Sequence, residues 1–287
     1  MPLYYKEKHS ENVYMELMLD QQLYYEQSSF QKIEVFHNQE YGRILTIDDC
    51  LMITERDEFI YHEMMVHVPM AVHPGVKRAL VIGGGDGGTI TRLLMYPEIE
   101  TIDIVEIDER VVEVCKEFFP KLGNSFNDPR VHLYVEDGLK YIRRYEDLYD
   151  LIIVDSTDPF GPGESLFTRE FYGNCYKALK PDGILVNQHE SPFYDGDAEN
   201  VWEIRVQTKK IFPHNYVYQV HIPSYPSGHW LFGFMSKLYK PVSDHDAARW
   251  EARGIKTRYY NSKIHEGCFA LPNYVLDLLA EEKDLFD

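Results

Sequence analysis

From Ala79 onward the chain repeats one pattern: a short apolar run, then a longer amphipathic stretch. The apolar runs are ALVIG (79–83), TIDIVEI (101–107), VHLYV (131–135), LIIVD (151–155) and ILVNQ (184–188). TITRLLMY and ERVVEVCKEFF are among the stretches between them. Short runs that are apolar almost throughout suit strands buried on both faces, and amphipathic stretches suit helices packed over them. The alternation predicts an α/β fold with a mostly parallel sheet and helices on both of its faces. YVYQVHI and WLFGFM, further on, read as closing strands.

The first segment has a different period. Apolar and polar residues alternate in FQKIEVF (30–36) and around GRILTID (42–48), with HNQEYG supplying turn chemistry between them. LMIT (51–54) reads as another strand, so a small antiparallel β domain is expected over residues 1–55 and the larger domain over 56–287. ERDEFIYHEMMVHVPMAVHP then reads as a helix, with Thr54 as its N-cap and Pro69 and Pro74 marking its exit.

The first strand of the larger domain runs straight into GGGDGG, where Gly83, Gly85 and Gly88 satisfy G-x-G-x-x-G between a strand and a helix. Glycines there allow a tight turn and close approach of a ligand to the backbone. Glu106 follows at the end of the second strand, where an acid accepts hydrogen bonds from ribose hydroxyls. A nucleoside ligand is expected. Asp86 lies inside the loop, where a pyrophosphate would rest, and an anion beside an anion is unfavourable. That disfavours a dinucleotide, and with it a nicotinamide-dependent dehydrogenase. A nucleoside carrying positive charge, such as an S-adenosyl sulfonium compound, fits better.

In an open parallel sheet, ligands bind beyond the carboxyl ends of the strands. Asp86, Glu106, Asp137 and Asp155 fall there, with Asp158 just after. Any one of them could be a helix N-cap, but capping does not explain all of them on one rim. Asp137 could accept from an adenine amino group. The loop DSTDPFGPG (155–163) is stiffened by Pro159 and Pro162 and turned by Gly161 and Gly163.

The formal charge of −18 argues against nucleic acid as a partner and suits cationic substrates. Four scattered cysteines without a CxxC pair make a disulfide framework or zinc knuckle unexpected. HEMMVH (62–67) approaches a zinc motif but has one residue too many, which puts its imidazoles on different helix faces. With a polar N-terminus and no apolar run of membrane-spanning length, a reduced, cytoplasmic protein is expected.

GGGDGG, VEID (105–108), EDG (136–138) and DSTDPFGPGESLF (155–167), together with ITERDEFIYHEM (53–64) and PSYPSG (223–228), resemble the aminopropyltransferases of the spermidine synthase family. The likeness covers nearly the whole chain. It implies a Rossmann-like, methyltransferase-type sheet with a small N-terminal β domain. It further implies transfer of the aminopropyl group of decarboxylated S-adenosylmethionine to putrescine, giving spermidine and methylthioadenosine. No metal or bound cofactor is implied, decarboxylated S-adenosylmethionine being a co-substrate, and the family forms homodimers or homotetramers, often through the N-terminal sheet.

By the same resemblance Asp155 orients the attacking amine and takes its proton, and Asp158 holds the diamine. Asp86 pairs with the ammonium of the aminopropyl arm. Gln31, Gly83, Gly85, Glu106, Asp137, Gly138 and Pro162 contact the nucleoside, while Tyr61, His62 and Tyr225 line the amine channel. TITRLLMYPEIE departs from the family's usual run, and its positions are expected to face away from the ligand. Trp230 suits a wall of the amine site and plain core equally well. Two alternatives stay open: an S-adenosylmethionine-dependent methyltransferase, whose ligand carboxylate Asp86 would repel, and a non-catalytic polyamine or nucleoside sensor. Cadaverine, agmatine and spermidine stand beside putrescine as possible acceptors.

Overall fold

A computed structural model describes residues 2–156 and 161–280. The N-terminal part is antiparallel. Strands β1 (Leu3–Lys8) and β2 (Tyr14–Leu19) form a ribbon. Strands β3 (Gln21–Gln27), β4 (Lys32–Asn38), β5 (Gly42–Ile47) and β6 (Cys50–Thr54) form a meander in that order. Both faces of β4 and β5 are covered. Ile33, Val35, Leu45 and Ile47 pack on one side against Val111, Val114 and Phe119 of the larger part. Phe36 and Ile44 pack on the other side against Tyr5 and Leu19 of the ribbon.

Helix α1 (Glu58–Val72) follows, and every residue from Ile60 to Val72 is buried. A helix apolar on nearly all sides belongs inside a protein rather than on its surface. Its bounds correct the sequence reading. The N-cap is Asp57, not Thr54, and Thr54 Oγ1 instead donates to Asp57 Oδ1 at 2.5 Å. Asp57 also accepts from the backbone N–H and the hydroxyl of Ser224, at 2.9 and 3.0 Å. Pro69 lies within the helix rather than at its exit. Proline removes one helical hydrogen bond, but Met70, Ala71 and Val72 are all buried, and that apolar burial favours continuing the helix.

The rest alternates as expected: β7 (Arg78–Gly83), α2 (Gly88–Leu93), β8 (Thr101–Glu106), α3 (Glu109–Phe118), α4 (Pro120–Gly123), β9 (Val131–Val135), α5 (Gly138–Ile142), β10 (Tyr149–Asp155), α6 (Arg169–Ala178), β11 (Leu179–Gln188) and α7 (Asp195–Lys209). Strands β12 (His214–His221) and β13 (His229–Ser236) close the sheet, and three short helices follow within 247–280. The sheet runs β12-β13-β11-β10-β7-β8-β9. From β11 to β9 neighbours are parallel, while β13 is antiparallel to both β11 and β12. Ala79 and Val81 pack with α1 on one face, and Leu80, Ile82 and Ile152 pack with Ile142 and Phe171 on the other. No helix among the described residues is long and apolar enough to cross a membrane. Cys50, Cys115, Cys175 and Cys268 are free thiols.

Strand order reverses between β7 and β10, and a crevice opens beyond their carboxyl ends. The two strand ends are tied there: Gly84 N–H donates to the Asp155 carbonyl at 2.7 Å. Gly83 has φ +80°, and a Cβ at that position would lie 2.2 Å from the Asp155 carbonyl oxygen. Only glycine meets both conditions. Gly83→Ala is therefore expected to cost at least about 2 kcal/mol of stability, from left-handed strain together with the steric clash. Urea unfolding monitored by circular dichroism checks this.

Candidate active site

The acids of the rim are held by the turns they end. Asp155 closes β10. Asp86, in the β7–α2 loop, accepts from Gly88 N–H at 2.6 Å. Glu106 ends β8 and accepts from Asp108 N–H at 3.0 Å, with the amides of Ile107 and Gly85 also directed at it. Burial outweighs those donors and pushes the Glu106 carboxyl up to about 7. Asp137 caps α5 through Leu139 and Lys140 N–H, so the capping reading holds for it, and it lines the cavity as well.

Gln31, Gly83, Gly85, Asp86, Glu106, Asp137, Gly138, Asp155, Tyr61, His62 and Tyr225 all line one cavity. Leu45, Ile47, Met52 and Ile53 of the N-terminal meander form its opposite wall. Asp158 and the side chain of Pro162 lie outside the described residues.

Behind the rim stands a second layer that sequence reasoning missed. Asp155 Oδ1 accepts from the Tyr61 hydroxyl at 2.8 Å, and its Oδ2 from the Thr89 hydroxyl at 2.6 Å. Asp86 Oδ1 lies 3.4 Å from His62 Nε2, a charge contact rather than an aligned hydrogen bond. On its other side His62 Nδ1 meets Glu58 Oε2 at 2.8 Å, and Arg92 donates to both Glu58 oxygens at 3.0 and 2.9 Å. The imidazole reaches the loop because residue 88 is glycine. A Cβ there would lie 2.1 Å from His62 Cε1.

No residue of the stretch 89–100, which was expected to face away from the ligand, lines either cavity, but Thr89 and Arg92 in it are buried and support the site from behind, Thr89 by its bond to Asp155. Positions three apart share a helix face, and that face packs on α1. The i,i+4 spacing of Glu58 and His62 was visible in the sequence. The partnership of Arg92 with Glu58 joins two helices and was not.

The charges follow from this geometry. Burial alone would depress His62, but the carboxylates of Asp86 and Glu58 raise it to about 10. Burial likewise opposes ionisation of Asp86, and the neighbouring imidazolium more than offsets it, holding that carboxyl below its ordinary range. Asp155 ends up raised, by burial first and by Asp86 second, against the pull of His62 and its two hydroxyl donors. One nitrogen of His62 and one oxygen each of Asp86 and Asp155 lie within 4.8 Å of one another. Flanked by Glu58 and Asp86, His62 reads as the cation of an ion pair. His67 turns elsewhere, to the Tyr96 hydroxyl at 2.7 Å.

A second, larger cavity of about 380 Å³ adjoins the first. Met52, Tyr61, Ser156 and Tyr225 line both. Its lining carries Glu7, Glu190 and Asp197 against Lys8 and His9, with His9 Nε2 3.1 Å from Asp197 Oδ2 and with Gln188 and Trp230 beside them. Trp230 has both of the roles weighed for it. It is buried against Tyr225, with ring centres 5.0 Å apart, its Nε1 donates to Gln188 Oε1 at 3.0 Å, and it faces the cavity. The Tyr225 hydroxyl donates to the Met52 carbonyl at 2.7 Å, tying the β12–β13 turn to the N-terminal meander. The site thus joins a recess rimmed by acids to a larger side chamber, with Tyr61, the donor to the buried Asp155 carboxylate, lining both.

Known proteins share this architecture. Residues 58–245 match the spermine/spermidine synthase domain, and residues 3–55 match the spermidine synthase tetramerisation domain. The polyamine aminopropyltransferase of Alkaliphilus oremlandii is 57% identical over 284 residues, covering 99% of this chain and all of that one. That of Clostridium beijerinckii is 59% identical, covering 97% of this chain and 98% of its own. A crystal structure of spermidine synthase in complex with the transition-state analogue AdoDATO superimposes with a TM-score of 0.94 at 38% identity, covering 97% of this chain and 96% of that one. The spermidine synthase of Thermotoga maritima gives 0.93 at the same identity and coverage. The chain belongs to the spermine/spermidine synthase family of polyamine aminopropyltransferases.

Proposed function

We propose that the acceptor is putrescine, that the products are spermidine and methylthioadenosine, and that Asp155 takes the proton released in the transfer. The observation that carries this reading is the junction of the two cavities, where Tyr61 donates to Asp155 and lines both chambers. The nucleoside recess takes decarboxylated S-adenosylmethionine. Glu106 receives the ribose hydroxyls, Asp137, Gly138 and Pro162 meet the adenine, and Gln31 with the backbone at Gly83 and Gly85 closes on the nucleoside. Asp86 receives the ammonium of the aminopropyl arm. The second chamber takes the diamine, with Tyr225 toward the reacting end, His62 on the side of the first cavity, and Glu7, Glu190 and Asp197 around the distant ammonium; Asp158 is assigned to the diamine by family resemblance alone.

In the reaction the amine nitrogen forms a bond to the carbon beside the sulfonium. The carbon–sulfur bond breaks, its electrons stay on sulfur, and methylthioadenosine leaves as a neutral thioether. Before the attack the incoming primary ammonium gives one proton to Asp155, and the new secondary ammonium keeps its remaining protons. A primary amine near pKa 10.4 holds its proton at neutral pH by roughly 4–5 kcal/mol. A buried carboxylate with raised proton affinity offsets part of that cost. The co-substrate carries its own leaving group, so the chemistry calls for no metal or resident cofactor. We further infer a homotetramer assembled through the N-terminal sheets, working in the cytoplasm.

A product assay tests the acceptor: methylthioadenosine and the new polyamine are followed by mass with putrescine, cadaverine, agmatine and spermidine in turn. Spermidine from putrescine is the expected dominant product, and preference for another amine would reassign the chamber. Asp155→Asn is expected to lower kcat about a hundred- to ten-thousand-fold while methylthioadenosine still binds. Wild-type turnover in that variant would remove Asp155 from its role.

Glu106 predicts a pH dependence of binding. Its carboxyl titrates near 7, and only the carboxylate accepts from both ribose hydroxyls. Affinity for methylthioadenosine is therefore expected to be flat above about pH 7 and to fall by up to about tenfold for each unit below it. Calorimetric titrations from pH 5.5 to 8.5 measure this, and Glu106→Gln should flatten the curve.

A further inference from the structure

We propose that Thr89 is a positioning residue of the transfer reaction, one that locks the Asp155 carboxylate in rotation and keeps it able to accept the amine's proton. The proposal rests on the reading of Asp155 as proton acceptor. Thr89 opens α2, in the stretch where this chain departs from the pattern it otherwise follows. It is fully buried, and its hydroxyl donates to Asp155 Oδ2 at 2.6 Å while Tyr61 donates to Oδ1 at 2.8 Å. A carboxylate offers two lone pairs on each oxygen. With one neutral donor on each, Asp155 cannot turn about its terminal bond, and one lone pair per oxygen stays open to substrate.

The two donors differ in kind. Tyr61 faces both cavities, so it touches whatever fills them. Thr89 lines neither cavity and acts on the substrate only through Asp155. The other groups facing Asp155 among the described residues are Asp86 from the glycine loop and His62 and Tyr61 from α1, with Glu58 and Arg92 behind His62. Asp86 disfavours the Asp155 carboxylate, whereas His62, Thr89 and Tyr61 favour it. Loss of one donated hydrogen bond to an ionised group raises the proton affinity of Asp155 by about one pH unit. The carboxylate fraction then drops at any pH below its transition, and the variant slows there relative to the parent.

The parent's kcat profile against pH at saturating substrates first locates the Asp155 transition, and kcat of Thr89→Val, Thr89→Ala and Thr89→Ser is then compared with the parent on both sides of it, read by methylthioadenosine release. The variant-to-parent ratio is taken at each pH, so that titration of the amine cancels. For valine and alanine the ratio is expected to fall roughly tenfold on passing from above to below the Asp155 transition. For serine, which keeps the hydroxyl, the ratio should stay level. Methylthioadenosine should bind all three with the parent's affinity, since none lines the recess. A level ratio for alanine or valine would overturn the proposal. So would a fall for serine equal to that for valine, because the hydroxyl would then not be what sets the ratio. Asp155→Asn in the same series separates the two readings. Its loss of turnover beside a level Thr89 ratio defeats only the role of Thr89, and undiminished turnover defeats the assignment of Asp155.

Discussion

Asp86 and Asp155 lie within 4.8 Å of each other in a buried pocket, and the surrounding structure makes that proximity tolerable. Two negative charges at that distance repel by about 3–4 kcal/mol at an effective dielectric constant near 20. The chain answers with charges of alternating sign along one line: Arg92, Glu58, His62, Asp86. Asp86 receives a full cation and is held ionised. Asp155 receives two neutral hydroxyls and keeps a raised proton affinity. Paired acids whose surroundings push them in opposite directions can divide their tasks, one fixing charge and the other exchanging a proton. The line runs from α2 to α1 to the glycine loop, so the packing of the two helices is itself part of the electrostatics.

The pocket is also composite. The sheet supplies the polar rim, but Leu45, Ile47, Met52 and Ile53 come from the antiparallel meander. Their contribution depends on that same face of the meander, where Leu45, Ile47 and Ile53 are buried together with Val111, Val114 and Phe119. Separating the two parts would open the apolar wall of the recess and expose core from both.

The sequence made the layout legible where period and chemistry coincide. Five apolar runs became adjacent strands, and the acids following them share one rim because carboxyl ends of parallel strands lie together. Legibility failed where a partner comes from elsewhere in the fold. Nothing local shows that Thr89 faces Asp155, or that Arg92 meets Glu58 across a helix pair. Pro69 looked like a helix end because local propensity says so, and burial of the next three residues overrode it. Strands β1 and β2 were folded into a single expected sheet. Exposed residues alternate with half-buried ones in YMELML, which weakens the apolar signal of that ribbon.

Asp57 shows what such tertiary partnerships entail. Its side chain makes no capping bond to the helix it precedes, yet it joins Thr54 at the end of β6 to Ser224 in the β12–β13 turn. Four residues along lies Tyr61, and one residue beyond Ser224 lies Tyr225, two side chains shared by the chambers. One brace between the segments that carry those two phenol rings, whose centres lie 6.3 Å apart, is therefore a carboxylate that lines neither cavity. A change at Asp57 would loosen the contact between the two segments that carry these rings, helix α1 and the β12–β13 turn.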